Sequence, residues 1–592
     1  MDFFSPSSPF NIFNIFTLLG GLALFLYGMK IMSSGLEKLA GGKLEALLKK
    51  MTSNPIKSLA LGAGITIAIQ SSSAMTVMLV GLVNSGIMSL SQTVGVIMGS
   101  NVGTTLTAWI TSLAGIDGGN FFMTLLKPSS FSPIVALIGI LLIMAAKSDK
   151  KRSVGSIGIG FAILMFGMGF MSDAMAALPS VPGFADVLTA FNNPLLGVLV
   201  GAVFTGIIQS SAASVAVLQG LASTGQVSFA MAFPIIMGQN IGTTVTAAIS
   251  SIGVNKSAKR VAVVHAAFNI IGTLLFLVIY GVLYLFVPTL PLFAWAIDEF
   301  GIAVSHTVFN VATTLILLPF SKLLVRLATL LIKEKEEAKE EVVCFLDRRL
   351  FSTPSIAVGE CNTRTFEMAR TASDSILCAL NYLSEPDEKK RNEILALEDR
   401  LDKYEDALGK YLVALSSHSL SDRDSREVAK LLHSIGNLER IGDHAVNLIK
   451  VSDEIADKGL AFSPAAQREL AVLDRATRDI LSITVSAFCE NDAESAKKIE
   501  PLEQVIDYLI AEIRSRHIAR LQKGNCTVEM GFILADLLTN YERVSDHCSN
   551  LGVAVIESRV TSDPGAHAYL HEIKNTYDFN EVFESYLREY AL

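Results

Sequence analysis

Polar positions are sparse through the first half of the chain and return in helical rhythm in the second. Apolar runs near 12–34, 90–112, 131–147, 154–176, 230–252, 262–287 and 301–327 predict membrane-spanning helices, since about 20 residues carry a helix across roughly 30 Å of hydrocarbon. Two further apolar stretches, 57–83 and 196–222, hold the strings QSSSA and QSSAAS at their middles. A simple span would not strand so many polar groups at mid-membrane. Each stretch is therefore expected to fold back as a re-entrant hairpin of about 13 residues per arm, with the polar string at the tip. Past residue 350 the pattern becomes amphipathic helices near 360–386, 390–417, 424–452, 465–490, 492–522 and 526–557, with a last one near 565–588. The predicted fold class is all-α, a polytopic membrane domain followed by a soluble helical domain.

Charge sharpens this division. Residues 1–330 carry 16 Lys+Arg and 9 Asp+Glu, whereas the rest carries 32 and 47. The acidic half argues against nucleic-acid binding, because a phosphate backbone would repel it. All six cysteines lie in that half (Cys344, Cys361, Cys378, Cys489, Cys526, Cys548) at no metal-ligand spacing, as suits free thiols in a reducing compartment. The opening MDFFSPSSPF has no basic stretch, so a cleaved signal peptide is not expected. Lys38, Lys43, Lys49, Lys50 and Lys57 follow the first span, and Lys147, Lys150, Lys151 and Arg152 another. Lys256, Lys259, Arg260, Lys322, Arg326 and Lys333 mark two more basic loops, while 177–195 and 288–300 hold no Lys or Arg. With every basic loop cytoplasmic, both hairpins must enter and leave by one side. The N-terminus is then outside, and the acidic half lies in the cytoplasm. The expected domains are a membrane domain at 1–330, a charged linker at 331–350 and a cytoplasmic helical domain at 351–592.

An internal repeat carries the functional argument. Shifted by 139 residues, the segment 20–112 aligns with 159–251 without a gap. Asn54-Pro55 falls on Asn193-Pro194, Gln70-Ser71-Ser72 on Gln209-Ser210-Ser211, Asn101 on Asn240, and Gly103-Thr104-Thr105 on Gly242-Thr243-Thr244. On the charge-based topology the copies begin in opposite directions. They are inverted repeats, the signature of secondary transporters whose broken helices meet near the midplane.

No charged residue occurs between Lys57 and Asp117 or between Asp186 and Lys256. A ligand there must be held by neutral groups. Helix N-termini and the hydroxyls of Ser71, Ser72, Ser73, Ser210 and Ser211, with Gln70 and Gln209, suit an oxyanion. Asn101, Thr104, Thr105, Asn240, Thr243 and Thr244 offer oxygens to a hard cation such as Na⁺. Small polar residues also serve plain helix contacts, but their duplication at one offset favours the site. His265 and His306, each shortly before a Phe-Asn pair ending in Asn269 or Asn310, serve either packing at helix starts or a proton or substrate role.

At the two Gln-Ser-Ser strings and the paired Asn-x-Gly-Thr-Thr strings, the chain resembles the type II sodium–phosphate cotransporter family over residues 12 to about 330. The resemblance implies inorganic phosphate carried with Na⁺ by alternating access across the cytoplasmic membrane, both ligands binding between the hairpins. One departure is Ala212 in the position of Ser73, which makes the half-sites unequal. A non-transporting phosphate receptor, or a carrier of sulfate or another oxyanion, is the alternative.

The soluble half repeats as well. Asn437-Leu-Glu439-Arg440-Ile-Gly-Asp443-His444 aligns with Asn540-Tyr-Glu542-Arg543-Val-Ser-Asp546-His547 at an offset of 103, and Glu398 and Asp402 resemble Glu503 and Asp507 at 105. Two tandem three-helix bundles give this pattern. Glu439 and Asp443, like Glu542 and Asp546, share a helix face. Such faces either hold a metal with His444 or His547 nearby or form a salt-bridged surface. These strings resemble PhoU-like domains over about 350–560, which implies a phosphate-responsive regulator and a divalent or transition metal on those four carboxylates. It leaves room for a homo-oligomer or a cytoplasmic regulatory partner. No nucleotide loop, nucleophile elbow or zinc motif occurs, so no enzyme is expected.

Overall fold

The computed structural model describes residues 10–40, 54–115, 127–146, 148–181, 183–184, 188, 191–287, 289–333, 346–418, 420–558 and 577–592. The opening decapeptide except Phe10, Lys43, Lys49, Lys50, Lys147, Asp186, Cys344 and the linker at 334–345 lie outside them. The chain divides into two units, one of Met1–Ala338 with Asp347–Ile356 and one of Lys339–Leu346 with Ala357–Leu592.

The first unit is built from helices α1 (Ile12–Ala40), α2 (Pro55–Ile69), α3 (Ser72–Asn84), α4 (Leu90–Ser112), α5 (Pro128–Ala145) and α6 (Asp149–Met175). Then follow α7 (Pro194–Ile208), α8 (Ser211–Ala222), α9 (Phe229–Gly242), α10 (Thr244–Ser250), α11 (Lys256–Phe286), α12 (Glu299–Leu317) and α13 (Ser321–Leu331). Four stretches, Ile12–Leu39, Asp149–Ser180, Lys256–Phe286 and Glu299–Leu331, are long and apolar enough to cross a membrane. The expected 230–252 span is interrupted at Thr243, whose hydroxyl donates to the Asn240 carbonyl at 2.6 Å. The unit is inside out relative to a water-soluble protein. Leu137, Leu141, Leu274, Val278 and Leu285 are exposed, while Thr66, Ser100, Asn101, Asn240 and Gln219 are buried. Hydrocarbon around the unit makes that arrangement favourable.

Glycines stitch the helices together, and their contacts give directions. A Cβ on Gly62 would lie 2.1 Å from the Val96 carbonyl oxygen, and one on Gly99 only 2.0 Å from that of Leu59. Farther along, Gly103 faces the Ala63 carbonyl, so α2 and α4 run parallel. The chain between them must therefore return, and α3 makes the return arm of a helical hairpin. The second copy repeats each contact at the same offset: Gly201 against Ile235, Gly238 against Val198 and Gly242 against Ala202. At 15 residues, α2 reaches about 22 Å, short of a full span. By contrast α1 and α6 pack antiparallel, Gly21 against Gly167, Gly28 against Gly160 and Gly35 against Ser153.

The second unit holds α14 (Pro354–Ser384), which starts within the first unit, then α15 (Glu388–Ser416), α16 (Asp422–Asp457), α17 (Pro464–Glu490), α18 (Ile499–Gln522), α19 (Val528–Glu557) and α20 (Tyr577–Glu589). The last helix is described only from Tyr577, since 559–576 fall outside the described residues. Leu401, Leu408 and Leu438 fill the first three-helix bundle, and Ile480, Leu502 and Leu538 the second. Five described cysteines are free, Cys361 and Cys548 buried among them.

Candidate functional site

The recurring strings build the hairpins before they build a site. Asn54 and Asn193 cap the first arms, each accepting from two backbone N–H groups, with Pro55 and Pro194 at the first helical position. Gln70 and Gln209 then end those arms in the left-handed region, at φ 54° and 57°. Ser71 and Ser210 cap the return arms, accepting from the N–H of Ala74 at 3.1 Å and of Ala213 at 3.2 Å. Gln reverses the chain and Ser restarts it. The N-terminal ends of α3 and α8, with their partial positive charge, thus stand at the tips beside hydroxyls.

The two half-sites differ in how their polar groups are satisfied. In the first copy Thr66 donates to Ser100 Oγ at 2.7 Å, Thr107 to Gln70 Oε1 at 2.9 Å, and Asn101 Nδ2 to Asn269 Oδ1 at 2.9 Å. In the second, the hydroxyl of Thr205 and the Oε1 of Gln239, which stands where the first has Ser100, are buried without a hydrogen-bond partner. Ser214 Oγ and Asn310 Oδ1 share that condition. Gln209 is exposed where Gln70 is buried, and Asn240 Nδ2 turns to the Ile236 carbonyl in its own helix. Leaving such an atom unpaired costs about 1–3 kcal/mol, so each marks a place where a ligand or water gains a bond. Ser214 and Gln239 also line an open, mostly apolar cavity of about 170 Å³ walled by Phe191, Phe204, Leu218 and Met231.

The predicted anion residues separate accordingly. Ser72 and Ser211 are buried, Ser71 and Ser210 half-buried. Ser73, which has no counterpart in the second string, lies 3.5 Å from the hydroxyl of Thr246 on α10. That contact joins the two copies. Thr246 is the repeat partner of Thr107, and the same offset could have singled out both from the sequence. Of the predicted cation residues, Asn101, Thr104 and Thr105 lie in α4, Asn240 in α9, Thr244 at the start of α10 and Thr243 at the break between α9 and α10. Thr104, Thr105, Thr243 and Thr244 each donate to a carbonyl of the preceding turn, which leaves their lone pairs free for a cation. Gln219, also unforeseen, accepts from Thr111 at 2.5 Å and donates to the carbonyls of Ala108 and Glu299 at 3.0 Å. It ties α8 to α4 and α12.

In the helical unit the repeat is symmetric. His444 Nδ1 meets Asn540 Oδ1 at 2.8 Å and His547 Nδ1 meets Asn437 Oδ1 at 3.0 Å, the rings stacked at 5.7 Å. Burial pushes the His547 imidazole down to about 4, so it stays neutral. Burial, then Asp443 and Asp402, push the Glu439 carboxyl up to about 7, and burial, then Glu500 and Asp507, push Glu503 up to about 8. Asp546 is raised too, by burial and Glu542, although Arg543 sits 3.3 Å away. Glu439 and Asp443 thus gather with Glu398 and Asp402 of α15, and Asp546 with Glu500 and Glu503 of α18. The sequence shift of 105 marks Glu398, Asp402 and Glu503 without assigning them a role, and it does not mark Glu500. The donor chemistry suits an oxygen-ligated cation. Among the described residues, however, no three His, Cys, Asp or Glu side chains converge as a ligand set. The metal expected on Glu439, Asp443, Glu542 and Asp546 thus has no assembled ligand set among the described residues.

Comparison with known proteins agrees with this division. The Na⁺/Pi-cotransporter family model matches residues 24–173 and 181–304, and the PhoU domain model matches 365–451 and 473–555. The chain belongs to the Na⁺/Pi-cotransporter family and carries a C-terminal PhoU domain. As a family member with long apolar helices it is a membrane protein for phosphate transport. It is 24% identical to a protein named for inorganic phosphate export, YjbB of Escherichia coli O157:H7, over 94% of this chain and 99% of that one. It is 31% identical to the uncharacterized protein YqeW of Bacillus subtilis (strain 168), over 53% of this chain and 97% of that one. A short stretch, 16% of this chain and 15% of the other, is 39% identical to the sodium-dependent phosphate transport protein 2A of Rattus norvegicus.

Proposed function

We propose that this family member moves inorganic phosphate across the cytoplasmic membrane together with Na⁺ by alternating access, its PhoU domain facing the cytoplasm as a regulator. The observation that carries the reading is the pair of glycine-stitched hairpins with uncharged polar tips, the first of which reaches α10 of the second copy through Ser73 and Thr246. The antiparallel packing of α1 on α6, the first helices of the two copies, supports an inverted relation between them. Phosphate is assigned to the hairpin tips, chiefly Gln209, Ser210 and Ser211 of the second copy, one helical turn from the unpartnered hydroxyls of Thr205 and Ser214. The Thr and Asn oxygens of both copies are assigned to Na⁺. With no Lys or Arg nearby, a bound anion needs cations to offset its desolvation, and Na⁺ supplies them.

The full-length relative named for phosphate export favours efflux as a second reading of the direction. Radiolabelled phosphate flux in proteoliposomes tests both, with Na⁺ gradients imposed in either direction against equal K⁺ gradients and with sulfate as competitor. Na⁺-dependent flux that ignores sulfate is expected. Flux indifferent to Na⁺ would sink the coupling, and phosphate binding without flux would leave a receptor.

A further inference from the structure

We propose that Asp347 and Arg349 are positioning residues that latch one mouth of the transport site, and that the helical unit acts on transport by holding or releasing this latch. The 3₁₀ turn Arg348–Ser352 overlaps the end of the expected 331–350 linker yet belongs with the membrane unit. Its Leu350 is fully buried against Gly81 of α3. Asn84, at the end of α3, donates through Nδ2 to Asp347 Oδ2 at 2.7 Å. Arg349 Nη1 pairs with the same oxygen at 3.0 Å. The guanidinium then reaches past it, donating to the carbonyls of Ser250 and Ile252 at 2.8 Å. Asn84 also takes the Asn255 N–H on Oδ1 at 2.9 Å, and Asn255 caps α11. One cluster therefore binds the end of α3 from the first copy, the C-terminal carbonyls of α10 from the second, and the start of α11.

The position of this cluster gives it its consequence. α3 starts at the hairpin tip, beside Ser73, and ends at Asn84, about 16 Å farther on. α10 accompanies it from Thr246, the partner of Ser73, to Ser250. The seam between the two helices thus has the ligand groups at one end and the latch at the other. Alternating access requires such a seam to part, and parting it breaks the bonds of Arg349. Arg349 is a charged donor fork over a nearly buried carboxylate and helix-end carbonyls, which gives a bond set that is specific and directional. The opposite counterpart, Gln219 with Thr111, is neutral and lies wholly within the helices of the membrane unit. The latch alone of the two sits on chain that continues directly, at Pro354, into α14, a stiff helix that passes into the helical unit beyond Ile356. A regulatory unit that displaces the start of α14 therefore pulls on Asp347 and Arg349.

This inference rests on the transport reading above, and one experiment separates the two. A Cβ on Gly81 would lie 3.6 Å from the Cβ of Arg349, within disulfide range. The full-length Gly81→Cys/Arg349→Cys protein is reconstituted, oxidised, and the link confirmed by peptide mass spectrometry, with the single-cysteine variants controlling for native thiols. Linking is expected to cut phosphate flux about tenfold or more, and reductant to restore it. Asp347→Asn keeps the shape and loses the charge that holds Arg349. It is expected to change the maximal rate severalfold with KM within about twofold of wild type, and it decides the matter if the double variant fails to fold. A wild-type protein without flux overturns the transport reading. Wild-type flux overturns the latch if the link does not form, if the linked protein transports undiminished, or if Asp347→Asn shifts KM alone or nothing.

Discussion

The two halves of the membrane unit share a backbone design and differ in how they spend their polar groups. Both copies use Asn-Pro to start a hairpin, Gln to reverse it and Ser to restart it, and both lay glycine against the same neighbouring carbonyls. In the first copy Thr66, Thr107 and Asn101 pair with other side chains; in the second Thr205, Ser214 and Gln239 each keep a buried polar atom unpartnered, and Gln209 is exposed. Duplication thus preserves what close packing demands. The second copy is left underbonded, which is what a site that must receive and release a ligand needs, because a fully paired network has nothing to gain from one.

The largest effect expected from this contrast concerns the capping serines. Ser71→Ala and Ser210→Ala each lose a helix cap, a cost of about 0.5–2 kcal/mol common to both. Only Ser210→Ala is expected to lose a bond to the anion as well, worth about 1.5–3 kcal/mol. Its KM for phosphate should rise about tenfold or more, against about twofold for Ser71→Ala. The reverse order in flux assays would move the anion to the first copy.

A smaller effect, opposite in sign in the two copies, concerns stability. Ser100→Ala leaves Thr66 Oγ1 buried without its 2.7 Å partner and should destabilise by about 1–3 kcal/mol. Gln239→Leu removes an unpartnered buried oxygen, and should raise thermal stability in detergent while impairing transport, the exchange expected of a functional site. A Gln239→Leu protein that melts earlier than wild type would show that Gln239 is bonded in the resting state, and the contrast would fall.

Much of this frame was legible in the sequence. A Gln-Ser-Ser string inside an apolar run has few stable resolutions, and a hairpin tip is one. Repeated glycines at a fixed offset announce repeated contacts. The inequality of the half-sites was legible only at Ala212. The exchange of Ser100 for Gln239 keeps a polar residue in place, and only the geometry reveals that its oxygen has lost its partner. Thr107 and Thr246 were aligned but silent, because Thr in an apolar helix usually bonds its own preceding turn. Asp347 and Arg349 were hidden for a different reason. They sit at the edge of a charged run, where composition predicts a solvated linker, and nothing local in the sequence signals that Leu350 will bury itself against Gly81.

The helical unit provides the smallest and cleanest test, since its copies remain alike. Both bundles hold a carboxyl raised by burial and by neighbouring carboxylates, Glu439 to about 7 and Glu503 to about 8. A carboxyl that is raised in the folded state penalises folding once it ionises. The penalty is absent below the ordinary carboxylate range near pH 4.5, grows as pH rises, and is complete above about pH 7 for Glu439 and pH 8 for Glu503. Glu503→Gln removes the charge without changing the shape. It should therefore raise the melting temperature of the helical unit by a few degrees at pH 8.5, with the gain vanishing near pH 4.5. Glu439→Gln should act in the same direction and less strongly, because its carboxyl is more exposed and better screened. Differential scanning calorimetry of the full-length protein across that pH range checks both. If Glu503→Gln instead melts earlier at pH 8.5, the carboxylate is held by a bound cation. The same scan repeated with a chelator would then abolish the difference.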